Sequence, residues 1–290
     1  MLKHTLGKTL GLLLVASLLL LGCSMVFAKG EPASTPYHTA PVSHRSPEQA
    51  TLDNKDGTSL GFTIPLAEQT ATFSSAVQPL EEGFSQRISL ASSNAPTEFS
   101  FSVTLPPGAY LDYARHYYTG EALDGSVGIF HQLGRPLASL ESPLAQDAAG
   151  NMVSCQFRLQ DNQITLAVHH DRPYFVYPIT VQYNVLRIAN NINVNDFATY
   201  FLSGSWITRN GVTSLSLKPK MVTLPTPLLN NAWHTVVSRF GNNAQWANAQ
   251  SLYDQYRCHQ SFAKDKEAWN LEPSRPVVNG VQMIISGCNP

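Results

Sequence analysis

Apolar residues that recur at every second position, broken by Pro and Gly, constrain the first half of this chain to sheet. Phe99, Phe101, Val103 and Leu105 alternate with polar neighbours and stop at Pro106-Pro107-Gly108. Ile164, Leu166 and Val168 repeat the pattern, as do Phe175, Tyr177, Ile179, Val181 and Tyr183. Successive side chains of a strand point to opposite faces, so each such segment buries one face and wets the other. Several in series, separated by turn residues, predict a β-sandwich over residues 58–185.

An Asn-rich passage, Asn190-Asn191-Ile192-Asn193-Val194-Asn195, then reads as a link between domains. In Trp206-Ile207-Thr208-Arg209-Asn210-Gly211-Val212, the Asn-Gly pair between apolar runs signals a hairpin. Beyond it the period lengthens. Leu228, Leu229, Ala232, Trp233, Val236, Val237 and Phe240 recur at helical spacing, with Thr226 as cap, Pro227 in the first turn and Gly241 as terminator. Ser251 to Phe262 is expected to be a second helix with Leu252 and Tyr256 facing inward, and Val281, Met283 and Ile285 alternate as a closing strand.

The first residues concern address rather than fold. Lys3, His4 and Lys8 precede an apolar run from Leu10 to Leu21, the charged and hydrophobic regions of a signal peptide over residues 1–28. The run is too short to span a bilayer as a permanent helix, which takes about 20 apolar residues. Cleavage after Val26-Phe27-Ala28 would release a secreted or periplasmic chain. The competing Leu20-Leu21-Gly22-Cys23 would instead lipidate Cys23 and give a membrane-anchored lipoprotein. Residues 29–57, with Pro32, Pro36, Pro41 and Pro47, form a Pro/Ser/Thr-rich linker. Its end, Leu52 to Gly57, reads as a turn, because a calcium loop needs Asp where Leu52 stands. Without Lys3 and Lys8, 17 Lys+Arg (19 minus 2) face 20 Asp+Glu, a formal charge of −3 with no basic block. Nothing in that balance suits nucleic acid or an anionic lipid surface, so membrane contact is expected only through Cys23.

Of four cysteines, either processing route takes Cys23 out of the pairing pool. Cys155, Cys258 and Cys288 then allow one disulfide and one leftover thiol. Cys258–Cys288 is the expected pair, with Cys155 buried on a strand. The fold class that results is mainly β: a β-sandwich domain followed by a small disulfide-pinned α+β domain over residues 193–290.

No nucleophile elbow, phosphate loop, His-Glu-x-x-His or Cys-x-x-Cys occurs. The catalytic candidates are His259, Asp254 and His234, with Glu267 and Glu272 nearby in sequence, since a histidine beside a carboxylate can shuttle protons near neutral pH. The competing role for His259 is structural, packed beside the disulfide. Trp246 and Trp269, with Arg275, are the binding candidates, whereas Trp233 lies in the apolar helical stripe and belongs to the core. Ser261-Phe262-Ala263-Lys264 has Ser-x-x-Lys spacing without its partner motifs. His169 and His170 are adjacent on a strand and face opposite ways, so no metal site and no cofactor is expected.

The tail resembles a known module. Asp254-Gln255-Tyr256-Arg257-Cys258-His259, Trp269-Asn270-Leu271-Glu272-Pro273 and Cys288-Asn289-Pro290 together resemble a C-terminal domain of unknown function found in exported bacterial proteins. Pro143 to Gly150 and Tyr177-Pro178-Ile179 resemble a β-rich module of bacterial secreted proteins, although Leu144 stands where that pattern has Trp, and Thr180-Val181-Gln182-Tyr183 lacks its terminal Asp-Pro. These resemblances imply export and architecture rather than a reaction. The functional expectation is an exported protein that binds an envelope or extracellular polymer or protein partner. The alternatives are a secreted hydrolase or antibacterial effector acting through the C-terminal domain, and a structural envelope protein.

Overall fold

The computed structural model describes residues 43–46, 49–53, 59–63, 71–188 and 192–290. The signal segment, Cys23, most of the linker and turn, and Asn190-Asn191 lie outside the described residues. Two antiparallel sheets stack face to face in the first half. One is six-stranded, ordered β1(Ser43–Ser46)-β2(Gln49–Asp53)-β3(Ser59–Thr63)-β6(Glu98–Thr104)-β13(Gln163–Val168)-β12(Cys155–Gln160). The other is eight-stranded and built around β14(Ile179–Arg187). On one side β14 pairs along its length with β5(Gly83–Leu90), which carries β4(Phe73–Leu80) at the edge. On its other side lie β10(Leu144–Gln146), continued by β11(Met152–Val153), and β9(Pro136–Leu140), continued by β8(Ala122–Phe130) and β7(Tyr110–Arg115).

The period-two pattern does what the physics requires. Phe99, Phe101 and Val103 of β6 are buried and the residues between them exposed; Ile179, Val181, Tyr183 and Val185 of β14 face them from the other sheet. Tyr183 stacks on Phe101 at 6.0 Å and meets Phe157 edge-on at 5.1 Å. Burying each such side chain contributes about 2 kcal/mol. Asp147 ties the β10–β11 turn to the segment before β14 by accepting from the amides of Ala149, Asn151 and Val176 and from the Asn151 side chain. Burial alone would raise its pKa, but these donors outweigh it and hold the carboxyl at about 2. Cys155 is half-buried rather than buried: β12 lies at the edge of its sheet, so only one side of the thiol is covered. Its thiol donates to the Pro143 carbonyl, and burial pushes its pKa up to about 11.

The C-terminal part builds its own core. After the short α1(Phe197–Tyr200), β15(Phe201–Arg209) and β16(Val212–Pro219) form the expected hairpin, with Asn210 and Gly211 at φ of 52° and 79° in the left-handed region that a two-residue turn needs. α2(Thr226–Phe240) and α3(Ala249–Phe262) bury Ala232, Trp233, Val236, Leu252 and Tyr256 with Leu215, Leu217, Trp269 and Leu271 of the sheet. The helix starts one residue earlier than expected: Pro225 precedes it, and Thr226 instead donates its hydroxyl to Asp124 of the sandwich.

One expected strand is a helix. Val281, Met283 and Ile285 lie in α4(Gly280–Ile285), and the strand that closes the sheet is β17(Trp269–Leu271), paired with β16. Asn279 caps α4 by accepting from the Gln282 amide at 2.9 Å. Val281, Ile284 and Ile285 also stand at i, i+3 and i+4, so the period-two reading described only part of the pattern. Gly287 and Cys288, at φ of 64° and 73°, then turn the chain back toward α3. Cys258 and Cys288 are joined with their Cα atoms 5.4 Å apart, and Met283 packs beside the bond.

Closing a 30-residue separation restricts the unfolded chain by about 3.7 kcal/mol on the chain-entropy account. Replacing both Cys258 and Cys288 by Ser should lower the denaturant unfolding free energy by about that amount and open the segment around α4 to limited proteolysis; an unchanged midpoint would show that α4 is held by packing alone.

Candidate functional site

The seam between sandwich and C-terminal helices is made by the tip of the β7–β8 hairpin, which packs against α2 and α3. His116 is buried there. Its Nδ1 accepts from the amides of Tyr118 and Thr119 at 3.2 and 3.1 Å, so the ring proton sits on Nε2 and is donated to Asp254 Oδ1 at 2.8 Å. The Tyr253 ring meets His116 edge-on at 4.8 Å, and its hydroxyl donates to Asn230 Oδ1 at 2.6 Å. Burial pushes the Tyr253 phenol up to about 12. Asn230 in turn donates to the Arg115 carbonyl, Trp233 Nε1 donates to Tyr118 Oη at 3.1 Å, and Tyr117 Oη lies 3.3 Å from His234 Nδ1. Both nitrogens of His116 are engaged within the chain. The His116–Asp254 pair is therefore built to lock the hairpin tip to α3, since a general base needs a nitrogen free for the substrate proton.

A second polar cluster lies under the disulfide. Asn289 donates from Nδ2 to the Asn270 carbonyl at 2.9 Å and to Gln255 Oε1 at 3.4 Å, which leaves its Oδ1 to accept from His259 Nε2 at 3.0 Å. Gln255 also bonds both the amide and the carbonyl of Glu272. His259 is 2% exposed, and its Nδ1 has no partner among the described residues. Burial pushes its pKa down, the Lys266 charge adds to that, and the Asn289 bond offsets only part, leaving it at about 4. His259 is a neutral ring sealed inside the module.

The three catalytic candidates are thus kept apart. Asp254 faces the seam, His259 faces the tail from the same helix, and His234 is exposed on α2. Trp269 is fully buried and donates Nε1 to the Ala263 carbonyl at 3.0 Å. Trp246 is half-buried, 5.7 Å from Trp233 and 6.5 Å from Trp206. Arg275 pairs with Glu272, and exposed Glu267 pairs with Lys218 at 2.7 Å. Ser261 is exposed at the end of α3 and Lys264 lies beyond it. His169 is exposed and His170 buried, and no cluster of three metal-ligating side chains occurs among the described residues. Sequence reasoning missed His116, Tyr117, Tyr118 and Asn289. The signal for the first three was present: three consecutive aromatic rings in a turn between strands, where solvated residues are usual.

The tail of the module also leaves an apolar surface in water. Val281 and Ile285 are 68% and 79% exposed, and with exposed Ile284 they leave α4 apolar toward water. A shallow groove of about 490 Å³ runs along it, lined by Asn279, Gly280, Val281, Gln282 and Ile285.

Fold and site together define a β-sandwich joined to a disulfide-pinned α+β module. Residues 202–290 of that module match the family described as Protein of unknown function (DUF2599). Over 48 residues the chain is 44% identical to Uncharacterized protein Rv0477 of Mycobacterium tuberculosis and to Uncharacterized protein Mb0487 of Mycobacterium bovis, a match covering 15% of this chain and 32% of each relative. The chain therefore spans about a third of the length of the curated relatives it matches.

The buried His259 gives a pH test. The unfolded chain takes up a proton at this residue below about 6.5, which the folded module refuses until about 4. Its contribution is complete above pH 6.5 and declines as the pH falls toward 4, by up to about 3 kcal/mol. Denaturant midpoints measured across that window should fall, and His259→Gln should flatten the slope; an equal slope in the variant would assign it to other groups.

Proposed function

We propose that this chain is an exported binding protein whose C-terminal module docks an envelope or extracellular protein through the outer face of α4. The observation that carries the reading is that Val281, Ile284 and Ile285 are all left in water on a helix of six residues. Exposed apolar clusters of this kind mark interaction surfaces. The disulfide and the buried Met283 fix α4 before any partner arrives, so little ordering entropy opposes binding. The rim favours protein over lipid: the exposed Asn279, Gln282 and Ser286 offer hydrogen bonds, and α4 itself carries no Lys or Arg to meet anionic headgroups.

Export is supported by the charged start and apolar run at the N-terminus and by a disulfide that persists in an oxidising compartment. Cleavage after Ala28 would deliver a secreted or periplasmic protein, and lipidation of Cys23 would tether the same module to a membrane. The hydrolase or effector reading draws less support, because the seam and the tail cluster engage His116, Asp254 and His259 in holding the fold.

Val281→Asp with Ile285→Asp tests the docking face. Both side chains are exposed, so thermal unfolding should stay within about 2 °C of the wild type, while binding to a fraction of host envelope proteins should weaken at least about tenfold. Wild-type binding by the double variant, or binding that survives protease digestion of the fraction, would overturn the reading.

A further inference from the structure

We propose that two copies of this chain associate through β15, pairing antiparallel edge to edge into a continuous six-stranded sheet. The C-terminal sheet is ordered β15-β16-β17, so β15 has a hydrogen-bonded neighbour on one side only. In a two-residue hairpin the residues flanking the turn form a hydrogen-bonded pair, and bonded and non-bonded pairs then alternate. Arg209, Ile207, Ser205 and Ser203 therefore bond β16, and the main-chain groups of Thr208, Trp206 and Gly204 point to the open edge. No main-chain or side-chain partner meets those groups among the described residues.

Open edges invite another strand, and proteins blunt them with short strands, charge or proline. The other edges of the described sheets follow that practice. β11 has two residues, β17 three and β1 four. β4 carries Pro79, β7 carries Asp112 and Arg115, and β12 carries Arg158. β15 differs: nine residues long, it holds no charge and no proline before Arg209, and its register is regular from Ser203 onward. Leu202, Ser203, Ser205 and Thr208 along it are exposed.

The strand is complementary to itself, which is why a second copy is the occupant. An antiparallel pair centred on Ser205 places the outward groups of Gly204 opposite those of Trp206, twice by symmetry. On the face that carries Trp206, that ring lies across from a residue with no side chain, next to Phe240, which packs so close to Gly204 that an added Cβ would stand 2.8 Å from its ring. On the opposite face Ser205 meets Ser205 of the second copy, and Ser203 meets Ile207. No like charges are brought together. This surface is distinct from the α4 face, so either assignment can fail without the other.

Sedimentation equilibrium of the chain in its natural processed form, from about 1 to 200 µM, is the test. A concentration-dependent dimer is expected. Ser205→Lys and Ser205→Glu each set like charges opposite one another on the dyad and should weaken the dimer at least about fivefold. Mixing the two variants should restore a mixed dimer to about wild-type strength, a rescue that also shows both variants fold. A wild-type monomer across the range, a dimer indifferent to both variants, or variants that stay monomeric when mixed would each overturn the proposal.

Discussion

Helix α3 has to satisfy three neighbours at once, and the arrangement of the C-terminal half follows from how it does so. Leu252 and Tyr256 give one stripe to the apolar core beneath the three-stranded sheet. Tyr253 and Asp254 turn toward the sandwich, where His116 and the two tyrosines after it are waiting. Gln255, Cys258 and His259 face the tail, which returns through Asn289 and the disulfide. A helix advances 100° per residue, so the eight positions from Leu252 to His259 can serve three faces only if each face is met by a different element. Sandwich, sheet and tail are those elements.

The polar chemistry on α3 is spent on this positioning. A buried polar group left unpaired costs about 1–3 kcal/mol, and Asp254, Gln255 and His259 Nε2 each have a partner that joins α3 to a distant segment. His116 is held by two backbone amides on one side and a carboxylate on the other, a geometry that fixes the ring in one tautomer. His259 is held neutral by burial and positioned by Asn289, the penultimate residue. Residue types that suggest proton transfer in a sequence here do structural work, because the proton-carrying atoms are already committed.

While the histidines and carboxylate of α3 are engaged inside, two features of the module lie open on its outside. The disulfide ties the end of α4 to α3 while leaving its apolar side uncovered, and the sheet ends on a long strand with no charge before Arg209. Both features carry a solubility cost for a free monomer, and both are placed on elements held rigidly from within. The family match spans residues 202–290, within this module.

The sequence by itself determined whatever depends on neighbours along the chain. The alternation around Phe101 and Tyr183 specified strands, Asn210-Gly211 specified a hairpin, the stripe from Leu228 to Phe240 specified a helix, and two cysteines in one segment specified their bond. These are local constraints, set by side-chain period, by φ at a turn and by parity. It misjudged Val281, Met283 and Ile285, because six residues with mixed spacing fit either period and the choice belongs to the capping Asn279 and to the need to bring Cys288 back to Cys258. Only the tertiary structure decided which histidine meets Asp254: the partner is 138 residues away in sequence, on a hairpin tip of the sandwich, rather than five residues along the same helix. The same holds for Asn289 and His259, and for the apolar face and strand edge left open. Which groups pair across space, and which are left for a partner, is fixed by packing between elements, and no local period encodes it.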